Sequence, residues 1–499
     1  METTANNNTT SHKVQDKLTK LFLAMLIVQF ALNFAGSPIL KYSYLLSVFS
    51  MLALVLFCSP EVSLPYFFPF FMIEGQGRIL WNYNPIFRVL FDALLLLCAF
   101  KAFYSKKRVI DIRAIPTYIY ILIFFHFLWF SVQLFNPNGV GFLGVVAAAK
   151  IYIIPFIIFL SFLANDGLQK LEVLKKIEAL CLFTLFIHGL LVIFQYSQGE
   201  SFITSITPYY EQVIGERFSG ALFRPFGTTH LPGGYSIYIV LLLPFIFLTK
   251  AKNYKVVIYK LATVGISFYC LFLSQVRSGM IKAFFITFTI TSLLYIRGQK
   301  RFKKIIVSFL AIFIFGYVIT NVGVLDDRDI EKIAPALNRF MSIFDKRTIN
   351  SSRETPTVIL SYILERLDET PLGLGPGRTG AASNMNKLKI AADPIFGLKE
   401  SWAYDNLFLS LAVELGIGAI FYLLIILLLP LKMINHSIRS FLRNDKIFPI
   451  VIISAIVPVV ILIGNWGAIG LPYNPESFCF WFLLALGLKN IESREVTSS

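Results

Sequence analysis

Long apolar runs separated by short polar connections set the pattern of this chain. Stretches such as Tyr118 to Phe130 and Ile420 to Leu429 are almost unbroken. A helix of about 20 apolar residues spans a bilayer. About fourteen segments read as spans of this kind: 21–36, 43–58, 63–75, 86–104, 116–134, 143–163, 177–196, 233–249, 257–274, 278–296, 305–322, 404–430, 447–464 and 476–490. The second and third are short enough for a tilted, broken or re-entrant arrangement, so twelve to fourteen spans are expected. The fold class is therefore an all-α polytopic membrane protein. In chain order it divides into a tail at 1–20, transmembrane helices over 21–322 including an outer loop at 197–232, an extracytoplasmic loop at 323–403, transmembrane helices at 404–490 and a second tail at 491–499.

Composition agrees. Of 499 residues, 56% are hydrophobic and 50 are Phe, and the mean hydropathy is +0.69. Soluble domains do not have this make-up. The net charge of +16 would suggest nucleic acid in a soluble protein; in a membrane protein it reflects basic residues retained in cytoplasmic loops, and no nucleic-acid partner is expected. Cys58, Cys98, Cys181, Cys270 and Cys479 fall in or beside apolar runs without paired spacing and read as single buried thiols. The five histidines do not cluster, so no metal site and no cofactor are expected. The Asn/Thr-rich stretch from Met1 to Lys20 reads as a disordered cytoplasmic tail, with no cleavage site following the apolar run.

Basic residues set the expected orientation. Lys106, Lys107 and Arg108, then Lys170, Lys175 and Lys176, then Lys250, Lys252 and Lys255, then Arg297 to Lys304, then Lys432 to Lys446 all follow even-numbered segments. One side, the cytoplasm, receives them all together with both termini. The opposite face then carries the 197–232 loop, the tight turn at Arg277 and the long 323–403 segment. Within the last, Ser352 to Leu367, including Arg353, has the spacing of an amphipathic helix.

Candidate chemistry concentrates on that face. Arg277, in Leu-Ser274-Gln-Val-Arg277-Ser-Gly279, reads either as an interfacial arginine reaching to headgroups or, the preferred reading, as a phosphate ligand in a polar cavity. The guanidinium fork matches phosphate oxygens, and Ser274, Gln275 and Ser278 add donors that orient it. Arg217 and Arg224, seven apart in a Gly- and Pro-containing stretch, read as surface arginines or as ligands approached closely through small residues, with His230 nearby. Gly373-Leu-Gly375-Pro-Gly377-Arg378 reads as a tight turn or as backbone amides offered to an anion. Asp405 and Asn406 open the twelfth segment, where Asp is a good N-cap and also a candidate general base. Glu414, deeper in the same helix, needs a partner, and a structural role is the default. Arg88 and Asp92, four apart, read as a self-neutralising pair. Lys150 lies in an Ala-rich span as a candidate cavity residue.

Four segments in order resemble the O-antigen ligase and polymerase superfamily of bacterial surface polysaccharide assembly. RFSGALFRPFGTTHLPGG from Arg217 looks like its Arg-x-x-Gly-Phe segment, and LSQVRSG around Arg277 like its Leu-Ser-x-x-Arg-Gly segment. ETPLGLGPG ending at Gly377 looks like its Asn-Pro-Leu-x-Gly-x-Gly-Pro-Gly loop, and YDNLFLSLAVELGIGA around Asp405 like its His-Asn-x-x-Leu segment. The resemblance covers about Arg217 to Ile420. Asp405 stands where ligases of the superfamily carry His, which weakens the ligase reading and favours a polymerase.

The resemblance implies a membrane-embedded glycosyltransferase of the GT-C-like type, needing no metal, in the bacterial cytoplasmic membrane with its site on the extracytoplasmic face. Its substrate and main partner would be an oligosaccharide on polyprenyl pyrophosphate, with membrane lipid around it and a chain-length regulator as a further partner. Arg217, Arg224 and Arg277 would hold the pyrophosphate, Asp405 would act as base by extrapolation from position, and His230, Arg353, Gly375, Gly377, Arg378 and Asn406 would line the sugar site. A ligase, and from another class a transporter of lipid-linked sugars, are the alternatives.

Overall fold

The structure is a computed structural model that describes residues 2–82, 84, 86–104, 115–139, 142–206, 218–219, 222–249, 253–297, 370–377, 407–443, 448–465, 471 and 474–498. Its described helices, in order, are α1 (Glu2–Phe34), α2 (Leu40–Phe57), α3 (Pro60–Ser63), α4 (Phe67–Leu80), α5 (Ile86–Tyr104), α6 (Thr117–Val132), α7 (Phe142–Tyr152), α8 (Ile154–Ala164), α9 (Leu171–Gln198), α10 (Glu200–Ile206), α11 (Pro232–Leu242), α12 (Tyr254–Ser274), α13 (Arg277–Ile296), α14 (Leu407–Leu415), α15 (Ala419–Leu442), α16 (Phe448–Gly464) and α17 (Glu476–Ser498). A two-residue antiparallel pair, β1 (Phe218–Ser219) with β2 (Leu222–Phe223), interrupts the helical order.

Eight described helical stretches are long and apolar enough to cross a membrane, and Pro232–Phe247 and Pro449–Gly464 are shorter apolar helices. Large apolar side chains such as Phe49, Phe57, Phe124, Phe135 and Phe285 stand exposed on them. Lipid, not water, covers such a surface. The chain is a multi-pass helical membrane protein.

Two compact units form, each drawn from two separate stretches of chain. The first unit holds 1–107 with 165–341, the second 108–164 with 342–499. In the first, α1 packs on α2, α9 on α12, and α11 on α13, while α4 touches α2, α5, α9 and α11. Phe67, Phe68, Phe70 and Phe71 of α4 are all but fully buried, and Phe91 of α5 lies 4.7 Å from Phe71 and 6.0 Å from Phe67 between ring centroids. In the second, α15 packs on α6, α16 and α17, and α17 on α8. Phe156, Phe159 and Trp481 join at 4.8 and 5.4 Å.

Lysines close helix ends in both units. Lys101 donates to the carbonyls of Val55, Leu56 and Cys58 at 2.7–2.9 Å, where α2 ends. Lys489 donates to Leu163 O at 2.9 Å near the end of α8. Both place a cation against the unpaired carbonyls and negative pole of a helix C-terminus. Lys260 pairs with Glu178 at 2.5 Å, and the Thr249 amide donates to the same carboxylate at 2.6 Å.

Several sequence expectations are refined or corrected. Segment 63–75, short enough in sequence for a broken or re-entrant arrangement, is carried mainly by α4, which has 14 residues, 13 of them buried, and runs on to Leu80. Segment 143–163 stands as one candidate span, Gly144–Ala164, but is built of two helices, α7 and α8, because Pro155 has no amide hydrogen to give the preceding turn and its ring crowds that turn's carbonyl. Segment 404–430 breaks at Gly416 and continues to Leu442. The stretch 1–20, read as disordered, is helical from Glu2; a span already nucleated extends outward at little further cost. Segment 305–322 and the amphipathic helix at 352–367 lie outside the described residues.

Candidate functional site

One end of the first unit gathers polar groups from five elements. Gln195, in the last turn of α9, holds the loop after β2 by both atoms of its carboxamide. Its Nε2 donates to Gly227 O and its Oε1 accepts the Gly227 amide, both at 2.8 Å. Two turns earlier, His188 Nε2 accepts the Thr228 amide at 2.8 Å. The neutral ring therefore carries its proton on Nδ1, an atom with no hydrogen-bond partner among the described residues. The Thr228 hydroxyl donates to the Met72 carbonyl of α4. Gly227 is required here twice over. Its φ is +63°, and a Cβ would sit 2.3 Å from His188 Nε2.

The same loop reaches α12. Arg224 Nε donates to Ser274 O at 2.9 Å, across fifty residues of chain. Ser274 is the last residue of α12, and its carbonyl is one of those a helix leaves unmet. Gln275 follows at φ +55°, ψ +28°, the left-handed region, and α13 starts at Arg277. Two of the segments singled out in the sequence, the Arg224 loop and the Arg277 turn, are thus joined by a direct bond. Gln275 is 5% exposed, yet neither its Nε2 nor its Oε1 has a hydrogen-bond partner among the described residues. Each unmet buried group costs on the order of 1–3 kcal/mol, and a non-glycine residue in the left-handed region adds roughly 1–2 kcal/mol.

The α4 helix brings a further set that the sequence reading missed. Arg78 grips Glu74 one turn back through Nε and Nη2, at 2.7–2.9 Å. Gln76 Oε1 accepts from Gln29 of α1 at 2.6 Å, and Gln76 Nε2 donates to Asn33 Oδ1. Glu74, Gln76, Gln29 and Asn33 are all buried. The signal was present as Glu74-Gly-Gln76-Gly-Arg78 at the end of a phenylalanine-rich run. Ending the segment at 75 cut through it.

The glycine turn belongs to the second unit and does different work. Leu374 N donates to Val413 O at 2.8 Å, Gly375 N to Glu414 O at 3.1 Å, and Gly373 N to Thr370 O at 2.9 Å. The Ile417 amide returns a bond to Pro371 O at 3.0 Å. Gln133 and Asn136, just after α6, clamp the turn from its other side through the Leu372 and Gly373 carbonyls, at 2.9–3.3 Å. Gly416, at φ +54°, breaks α14 from α15, and a Cβ on it would sit 2.2 Å from Pro371 O. The amides of residues 373–375 are engaged inside the protein, the arrangement of a tight turn. Gly375 and Gly377 pack against Gly139 and Gly144. Glu414 has its partner: the Tyr152 hydroxyl donates to Oε2 at 2.6 Å.

The remaining sequence candidates are placed unevenly. His230 follows the Gly227–Thr229 turn, half-buried, immediately before α11. Arg277 is placed by its backbone alone, at the first position of α13. Arg217, Arg353, Arg378, Asp405 and Asn406 lie outside the described residues. The Arg88 side chain does too, so the expected pair with Asp92 is not described. No protein-family model matches the chain, and no curated protein does.

Proposed function

We propose that this protein is a membrane-embedded glycosyltransferase, a polymerase that joins oligosaccharide repeat units carried on polyprenyl pyrophosphate. The Arg224–Ser274 bond carries the reading, because it brings the Arg224 loop and the Arg277 turn to one end of the first unit. The positive-inside rule puts that end on the extracytoplasmic face of a bacterial cytoplasmic membrane.

In the reaction, an acceptor sugar hydroxyl attacks the anomeric carbon of the donor glycan. The bond from that carbon to the pyrophosphate oxygen breaks, and negative charge builds on the leaving pyrophosphate. Arg224 and Arg277, with Arg217 beside them in sequence, meet that charge. Donors aimed at charge that grows in the transition state are each worth about 10²–10³ in rate. A carboxylate such as Asp405 takes the hydroxyl proton.

Two other readings differ in their products. A ligase moves the finished glycan to a different acceptor. A transporter of lipid-linked sugars is favoured by one observation: the first unit holds a buried ion pair, Glu178–Lys260, and a part-buried one, Glu74–Arg78, and polar groups within spans mark pathways. The test is a strain lacking the protein, complemented with wild type, Arg224→Ala or Arg277→Ala at matched membrane levels, with surface glycans run on a gel. Single-repeat products in place of a long ladder support the polymerase. A full ladder held on the carrier indicates the ligase. Normal polymer with both variants removes the arginine mechanism.

A further inference from the structure

Gln275 is a residue whose placement no contact among the described residues explains. It is buried, it holds a backbone conformation that suits glycine or asparagine better, and its whole carboxamide is unbonded among the described residues. Other buried carboxamides in the same unit are engaged through at least one atom: Gln195 and Gln76 bond through both, and Gln29 through Nε2 alone. Native interiors rarely leave such a group unmet, and strain of this kind collects where ligands bind. Its position is between Ser274, whose carbonyl Arg224 holds, and Arg277, the first residue of α13.

The chemistry of the group narrows its partner. A carboxamide offers two hydrogens and one acceptor oxygen. The pyrophosphate that bridges lipid and sugar is fully ionised at neutral pH and has acceptors only, so it would satisfy Nε2 and leave Oε1 buried and bare. A sugar carries hydroxyls, and often an acetamido group, that both donate and accept. We propose that Gln275 is a substrate-contacting residue that hydrogen-bonds the first sugar of the lipid-linked glycan, the one adjoining the pyrophosphate held by the neighbouring arginines. This rests on the pyrophosphate reading of the same site. A site built to bond a hydroxyl discriminates strongly against a ligand that lacks it, because its polar groups are then left unpaired.

The test uses purified full-length protein and two probes: undecaprenyl pyrophosphate, and the lipid-linked saccharide extracted from the strain lacking the protein. Wild type is expected to bind the saccharide form about tenfold or more tightly than the bare pyrophosphate. Gln275→Gly, which suits the left-handed backbone, is expected to lose that increment, keep its affinity for undecaprenyl pyrophosphate, and unfold no more easily than wild type. Gln275→Asn, which keeps the amide and tolerates the backbone, is expected to retain part of the increment. If Gln275→Gly keeps the full preference for the saccharide, the inference about Gln275 fails alone and the pyrophosphate reading stands. If wild type binds neither probe, both fail together.

Discussion

The Gly227–Arg277 end of the first unit and the 370–377 turn of the second are both glycine-bearing and both drawn from segments that look chemical in the sequence. They are built in opposite ways. Around the second-unit turn, side chains and amides answer one another: Gln133, Asn136, the Gly373–Gly375 amides, and Tyr152 on Glu414. At the first-unit end, the loop is pinned just as firmly by His188 and Gln195, yet Gln275 is left strained with an unmet carboxamide. A turn that satisfies itself holds the fold together. A rigid frame that leaves a polar group open is arranged to be completed by something else.

The largest expected effects test the frames themselves. Gly416→Ala forces a Cβ against a backbone carbonyl, and Gly227→Ala forces one against His188. Each is expected to cost on the order of 3 kcal/mol or more of stability, seen as a marked fall in the unfolding midpoint of purified protein. Full stability in either would show that the close approaches described here relax without loss.

Next come the variants that should separate the two regions. Arg224→Ala is expected to lower the rate of polymer formation about 10²–10³-fold with a modest change in unfolding. Asn136→Ala is expected to do the reverse. It removes bonds to the Leu372 and Gly373 carbonyls, costing about 1–2 kcal/mol of stability, while activity per folded molecule stays within a few-fold of wild type. Matching profiles for the two variants would erase the distinction between a site and a brace.

The smallest effect sharpens the second unit. Tyr152→Phe removes one donor to the buried Glu414 carboxylate and is expected to cost about 1 kcal/mol or less. An unchanged unfolding midpoint would mean another group answers Glu414 unaided.

How far the sequence carried these conclusions depends on what each residue faces. Spans that meet lipid are legible, because nothing but apolar side chains suits them: α2, α6, α9 and α12 fall close to their apolar runs. The α4 helix was legible only as a short, ambiguous apolar run, because protein packs around it, so Glu74, Gln76 and Arg78 find partners at depth and the apolar run ends before the helix does. The break at Pro155 hides inside an apolar window of full span length. In the site, the arginines and the Gly-Pro segments were visible as charge and small residues beside apolar runs. His188 and Gln195 were not, since a lone His or Gln in an apolar helix gives no hint of the loop it will hold. Gln275 was visible as a residue but not as an unmet one, because burial and missing partners are properties of the folded chain.

The central claim is that the Arg224–Arg277 end of the first unit grips a lipid pyrophosphate during glycosyl transfer. The most direct measurement places purified protein in vesicles with the lipid-linked saccharide and follows both free polyprenyl pyrophosphate and saccharide length. The account predicts that wild type releases the pyrophosphate carrier as saccharides lengthen, and that Arg224→Ala and Arg277→Ala each slow both together about 10²-fold or more. Movement of intact lipid-linked saccharide across the vesicle wall, with no carrier released and no lengthening, would contradict it.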